Sequence, residues 1–190
     1  MNQQYDIAII VGSLRAASVN RVAAEALTRL APPNLRFRFV EIGDLPLYNE
    51  DVEKAGTPAP WTRFRQEVGS ADAVLFVTPE YNRTMPGALK NALDVGSRPY
   101  GQAVWNNKPA AIMTLSPGGI GGFGANHSLR QSLVFLDMPV LQQPEAYVGG
   151  AYGLFDEGGE FKNEDTRAFF AKFIAAFAEW IERTAVKQAA

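Results

Sequence analysis

The sequence predicts an α/β fold: a three-layer sandwich whose five-stranded parallel sheet runs in the order 2-1-3-4-5 and carries helices on both faces. Three observations lead there. Apolar strand-like runs and amphipathic helical patterns alternate strictly along the chain, which implies parallel strands joined by crossover helices. Five such units fit into 190 residues. The segments least like ordinary connections, rich in Gly, Pro and short polar residues, follow the first, third and fourth strands, where this strand order places its ligand crevice.

The strands are expected at residues 7–11, 37–42, 73–77 and 110–115, with a weaker fifth split between 140–141 and 147–148. Helical periodicity covers residues 20–30, 62–68, 87–95, 126–135 and 164 to about 183. The whole reads as one flavodoxin-like domain over residues 1–190. Residues 46–60, with their prolines and glycine, read as a long loop. In the last helix, Phe169, Phe170, Phe173, Ile174, Phe177, Trp180 and Ile181 form an apolar stripe suited to core or subunit contact. Residues 149–159 form a Gly-rich arm which, with Tyr147, Tyr152 and Phe155, would serve as an oligomer contact. Lys90 and Asp94 fall at i and i+4, the spacing of a helix ion pair, and His127 suits a surface or capping role.

Composition removes several chemistries. The chain is 47% hydrophobic and 20% charged, enough apolar mass for a substantial core. With no cysteine and a single histidine, thiol catalysis, disulfides and a zinc or haem site drop out, so no metal is expected. A formal charge of −2 without a basic run argues against nucleic acid and anionic membranes. No apolar run approaches the ~18 residues of a membrane span and Met1-Asn2-Gln3-Gln4 does not open a signal peptide, so the expected setting is cytoplasmic.

The turn after the first strand, Gly12-Ser13-Leu14-Arg15-Ala16-Ala17-Ser18-Val19-Asn20-Arg21, leads directly into a helix. Helix N-termini direct unpaired N–H groups and partial positive charge at one spot, which favours an anion. Ser13, Ser18 and Asn20 add short polar groups, and Arg15 adds a planar fork that can take two oxygens of one phosphate. Neither Gly-x-x-x-x-Gly-Lys-Ser/Thr nor Gly-x-Gly-x-x-Gly occurs in this turn, so a terminal monophosphate is expected rather than a pyrophosphate. An ordinary capped turn is the alternative.

After the third strand, Pro79-Glu80-Tyr81-Asn82-Arg83 and Pro86 make a stiff turn in which Tyr81 and backbone groups would meet a flat heteroaromatic ring. Its alternative is a turn that only covers the sheet end. After the fourth, Ser116-Pro117-Gly118-Gly119-Ile120-Gly121-Gly122 leaves backbone bare for close approach, as the edge of a planar ligand requires. Gly119, Gly121 and Gly124 match a dinucleotide fingerprint, but on the fourth unit, outside its usual context.

These three loops, with the helix stretch Pro86-Gly87-Ala88-Leu89-Lys90-Asn91-Ala92-Leu93-Asp94, resemble the NAD(P)H-dependent FMN reductases, nearest their quinone and chromate reductase branch. The resemblance implies that Ser13, Arg15, Ser18 and Asn20 hold the FMN phosphate. It places Pro79, Glu80, Tyr81 and Asn82 against the isoalloxazine, the first two mostly through backbone, and Ser116, Gly118 and Gly121 along its pyrimidine edge. It further implies a ping-pong cycle in which NADPH or NADH gives hydride to flavin N5 and a quinone, chromate or azo compound takes it, with no side chain as acid or base. Arg83 would contact the nicotinamide cofactor's phosphate, and a homodimer or homotetramer is expected. Relatives carry a basic residue where this chain has Phe123-Gly124-Ala125, so the choice of nicotinamide stays open. Two alternatives are a flavin reductase taking free FMN as substrate and an electron carrier without NAD(P)H activity; a sheet-capping interaction module is a third.

Overall fold

The computed structural model describes residues 3–185. Five parallel strands, β1 (Tyr5–Val11), β2 (Leu35–Phe39), β3 (Ala73–Thr78), β4 (Ala110–Leu115) and β5 (Ala146–Val148), lie in the order β2-β1-β3-β4-β5. The predicted sheet is the observed one. Because alternate residues of a strand face opposite sides, the apolar strands build two cores. Ile7, Ile9, Leu75, Val77 and Met113 pack under α1 (Val19–Leu30) and α6 (Glu164–Thr184). Ala8, Ile10, Val74, Phe76 and Ile112 pack under α3 (Ala59–Gly69), α4 (Gly87–Gly96) and α5 (Phe123–Phe135).

The last helix does what its stripe predicts on the core side: Phe170, Phe173, Ile174, Phe177 and Ile181 are buried, while Phe169 and Trp180 lie at the margin. Lys90 and Asp94 make their i,i+4 pair at 2.7 Å. No helix among the described residues is long and apolar enough to cross a membrane.

The second strand and the expected loop at 46–60 differ from expectation. β2 lies earlier than 37–42, because Leu35, Phe37 and Phe39 face the α1 side while the chain leaves the sheet after Val40, whose N–H still donates to the Ile9 carbonyl at 2.9 Å. Val40 and Ile42 are buried beyond the strand, in a loop against the opposite core, which makes them look like its continuation in sequence. The expected loop at 46–60 holds a short helix, α2 (Glu50–Ala55), with no buried residue to give it periodicity. The cap is legible in hindsight, since Asn49 accepts the Asp51 N–H at 2.9 Å and three carboxylates occupy the first turn. Asn91 secures that segment, its amide donating to the Leu45 and Pro46 carbonyls and accepting from the Tyr48 N–H.

The fifth strand is interrupted as its split signal suggested, Val140 bridging to Ala110 apart from the ladder of β5. In the Gly-rich arm, Phe155 is buried against Phe161 and Phe170, with Phe161 5.0 Å from each ring centroid. Phe155 therefore belongs to the chain's own core rather than to an exposed contact.

Under α3 and α4, Trp105 is fully buried, donates to the Leu93 carbonyl at 3.1 Å and fills the space beside Gly96. A Cβ on Gly96 would come within 2.5 Å of the indole. Gly96→Ala is expected to lower stability by about 1–3 kcal/mol through overpacking, measured as a fall in the urea unfolding midpoint.

Candidate active site

Gly12 brings the carboxyl ends of β1 and β3 together. Its N–H donates to the Val77 carbonyl at 2.9 Å, and a Cβ there would stand 2.1 Å from Thr78 Oγ1. The loops that leave these strands therefore start side by side.

The β1 loop turns into α1 at Ser18, the N-cap, whose carbonyl accepts from Arg21 and Val22. Its hydroxyl makes no capping bond. Both Ser18 Oγ and Asn20 Oδ1 are buried without a hydrogen-bond partner, in residues only 4% and 3% exposed. The first turn of α1 carries no carboxylate, and Arg15 reaches over it with Nη1 donating to the Tyr152 hydroxyl at 3.3 Å. Helix dipole, guanidinium and unpartnered buried groups thus favour an anionic, hydrogen-bonding occupant.

After β3 the chain makes a two-residue hairpin. Tyr81 and Thr84 exchange backbone hydrogen bonds at 2.9 and 3.0 Å across Asn82 and Arg83, whose φ of +50° and +67° match a type I′ turn. The Glu80 carboxylate turns inward and accepts the Ala125 N–H at 3.1 Å. It thereby caps α5, whose own N-cap, Gly122, has no side chain to do so. Thr84 and Met85 are tied to the same helix through the Ser128 hydroxyl. Arg83, three-quarters exposed, lies 3.4 Å from Glu80 Oε1.

After β4, Ser116 Oγ accepts the Gly118 N–H at 3.2 Å, and the Gly118 carbonyl accepts from Gly121. Gly121, at φ +61°, faces β5 so closely that a Cβ would lie 2.3 Å from the Tyr147 carbonyl carbon. Beside it Tyr147 and His127 lie 3.0 Å apart, hydroxyl to Nε2, with Phe123 packed on the imidazole at 4.1 Å. Burial, then the Glu145 carboxylate, pushes the Tyr147 phenol up to about 12, so it stays protonated at neutral pH.

The three loops enclose a pocket of about 100 Å³ that gathers Ser13, Arg15, Ser18, Asn20, Pro79, Glu80, Tyr81 and Ser116. Residues 5–153 match the family described as NADPH-dependent FMN reductase. The chain belongs to that family.

A quinone reductase of Pseudomonas putida is 60% identical over 182 residues, covering 96% of this chain and 97% of the relative. A 2-hydroxy-1,4-benzoquinone reductase of a Burkholderia species is 46% identical, covering 92% and 95%. Among solved structures, the flavoenzyme NAD(P)H:(acceptor) oxidoreductase of Paracoccus denitrificans superposes with a TM-score of 0.90 at 40% identity, over 96% of this chain and all of that one. This member of the FMN reductase family is an oxidoreductase that works with FMN and a nicotinamide donor.

Asn82 stands outside the pocket, lining a shallow cavity between the starts of α4 and α5. Arg83, Gly118 and Gly121 do not line the pocket either. Tyr152 does, through its contact with Arg15, although the sequence suggested only an oligomer contact. Its place depends on a short 3₁₀ turn at Ala151–Gly153 that brings the arm back over the β1 loop, 137 residues from Arg15. No local motif signals such a return.

Arg83 is costly where it sits, because a left-handed backbone disfavours a residue with a Cβ by about 1–2 kcal/mol. Its exposed pair with Glu80 returns little of this. Arg83→Gly is therefore expected to raise the melting midpoint by about 2–4 °C, read by calorimetry.

Proposed function

We propose that this chain is a cytoplasmic, FMN-dependent NAD(P)H reductase of quinones and similar small acceptors, with chromate and azo compounds within its chemical range. The observation that carries the site assignment is the pair of unpartnered buried groups on Ser18 and Asn20 at the α1 N-terminus beneath Arg15. A phosphate would receive the Ser18 hydroxyl, the Arg15 guanidinium and the helix dipole together. Asn20 Oδ1 is an acceptor suited to a ribityl hydroxyl, while a half-turn of that amide would offer its N–H groups to a phosphate oxygen instead.

FMN, when bound, supplies hydride transfer from NADPH or NADH to the acceptor in two half-reactions at one place, a ping-pong cycle. The chain's own part is position and electrostatics. Ser13 and Arg15 fix the phosphate end. Pro79 and Glu80 offer backbone, with the Glu80 carboxylate already engaged at α5, and Tyr81, about half exposed, offers an aromatic surface. The backbone N–H groups of Asn82 and Gly119 make no hydrogen bond among the described residues and remain available to an electron-rich ring edge. Ser116 and Gly118 line that edge. Gly121 would support it from behind by its close approach to β5, and the exposed Arg83 would contact a donor's phosphate. A homodimer or homotetramer is supported by the apolar side chains α5 leaves at the surface, Val134 and Phe135 at 76% and 89% exposed.

Arg15→Ala is expected to weaken FMN binding roughly tenfold or more, the size of a lost charge-assisted contact, with the apoprotein's unfolding midpoint unchanged. Equal flavin affinity in both proteins, by fluorescence titration, would remove the anion site. Ser18→Ala is expected to separate two readouts: FMN affinity falls while apoprotein stability holds or rises, because an unpartnered buried hydroxyl is lost. Anaerobic NADPH or NADH is expected to bleach the holoprotein. A yellow protein bleached by neither would instead be an electron carrier.

A further inference from the structure

Among the described residues that line the phosphate pocket, Tyr152 alone comes from outside the segments at the ends of β1, β3 and β4. Two anchors set its place. Before it, the Ala151 N–H donates to the Ser116 carbonyl at 3.1 Å and the Ala151 methyl is buried in the core under α1 and α6. After it, the Gly153 N–H closes the 3₁₀ turn on the Gly150 carbonyl at 2.8 Å, and Phe155 packs on Phe161 and Phe170. With the backbone held on both sides, the ring stands as a partition. Inward of it is the pocket with Ser13, Arg15, Ser18 and Asn20; outward is a groove of about 240 Å³ between the start of α1 and the arm, over Val19, Val22 and Phe155. Tyr152 and Val19 line both spaces. Toward β2 the pocket is bounded by the Ser13–Arg15 turn itself, whose residues also line the next cavity, so on the arm side a single side chain does the closing.

The hydroxyl has its own part. Arg15 Nη1 donates to the Tyr152 oxygen at 3.3 Å, and no acceptor among the described residues takes the phenol proton. A hydroxyl both accepts and donates, so that proton joins the Ser18 hydroxyl and the Arg15 guanidinium as a third donor toward one phosphate. A terminal phosphate offers three acceptor oxygens. A diester gives one of them up to its link, and the link needs a way out. The outer groove is a poor exit for a second phosphate, because its ionisable lining is Asp156 and Glu157. Arg29, at that end, is engaged with the Gly159 carbonyl at 2.7 Å and with Glu160 at 3.7 Å.

We propose that Tyr152 is a specificity-determining residue: its ring closes the arm side of the pocket and its hydroxyl completes the donor set, so that the chain takes a terminal phosphate and rejects a phosphate diester, FMN over FAD. The inference rests on the FMN reading above, which assigns the phosphate to this pocket without using Tyr152.

The test titrates the full-length apoprotein with FMN, FAD and riboflavin by flavin fluorescence. The chain is expected to bind FAD at least about tenfold more weakly than FMN. Tyr152 is 65% exposed, so its truncation removes no core packing and the variants are expected to keep the unfolding midpoint. Tyr152→Ala opens the partition: FAD affinity is expected to rise about tenfold while FMN affinity falls. Tyr152→Phe keeps the ring and loses the hydroxyl, so FAD affinity is expected to stay at its original level while FMN affinity falls about tenfold. FAD affinity that ignores Tyr152→Ala overturns the proposal, and so does a Tyr152→Phe variant that admits FAD as the alanine variant does. A chain that binds neither FMN nor FAD, or that binds riboflavin as tightly as FMN, fails the phosphate reading and this inference together. A chain that binds FMN through its phosphate but takes FAD equally well fails this inference alone.

Discussion

The absence of a side chain at Gly12 is the constraint from which the candidate site follows. A Cβ there would occupy the space of the Thr78 hydroxyl, so only glycine lets the ends of β1 and β3 lie this close. Two of the segments that meet in the pocket start from that contact, and Ser116 and Tyr152 join them from the β4 loop and the 3₁₀ turn. The β1 loop carries Ser13, Arg15, Ser18 and Asn20, while the β3 loop carries Pro79, Glu80 and Tyr81. The sheet supplies rigidity, since both strands are paired on two sides and buried in two cores. Such strands form the rigid scaffold that positions these loops.

Glu80 shows how one side chain serves two elements. Gly122 takes a left-handed φ of +80° beside Thr114, where a Cβ would come within 2.9 Å, so the cap position of α5 cannot carry Ser, Thr, Asp or Asn without strain. Glu80 provides the missing acceptor from 45 residues away. A single charge-assisted bond thereby fixes where α5 begins and prevents the Pro79–Tyr81 backbone from swinging away from the helix.

Much of this architecture is legible in sequence, for a physical reason. Strands buried on both faces are apolar throughout, and crossover helices carry a 3.6-residue stripe, so order, count and parallel sense follow from local pattern. That Ser13, Arg15, Ser18 and Asn20 would share one pocket is legible too, because they lie in one short segment between a strand and a helix. What stays hidden depends on distance along the chain. Tyr152 reaches Arg15 across 137 residues, and Phe155 turns inward because Phe161 and Phe170 wait for it. Helix α2 escapes because it buries nothing, and Val40 and Ile42 mislead because burial outside a strand has the same composition as burial within one.

The contrast between satisfied and unsatisfied polar groups singles out the candidate site without appeal to motif. The Asn91 amide uses both its ends, and the indoles of Trp61 and Trp105 each find a carbonyl. Of the four buried side-chain atoms left without a partner among the described residues, two belong to groups engaged elsewhere: the Arg38 guanidinium donates to Ser70, and the Asn126 amide accepts from Arg130. Among the described residues Ser18 and Asn20 make no side-chain hydrogen bond, and they stand two residues apart at a helix N-terminus. Leaving each group unpaired costs about 1–3 kcal/mol, a burden the free chain carries and a ligand would relieve. A fold that meets nearly every other buried demand leaves these two open, Ser18 Oγ as a donor that an anion could meet and Asn20 Oδ1 as an acceptor that a ligand hydroxyl could meet, and that asymmetry sets this turn apart from an ordinary helix cap.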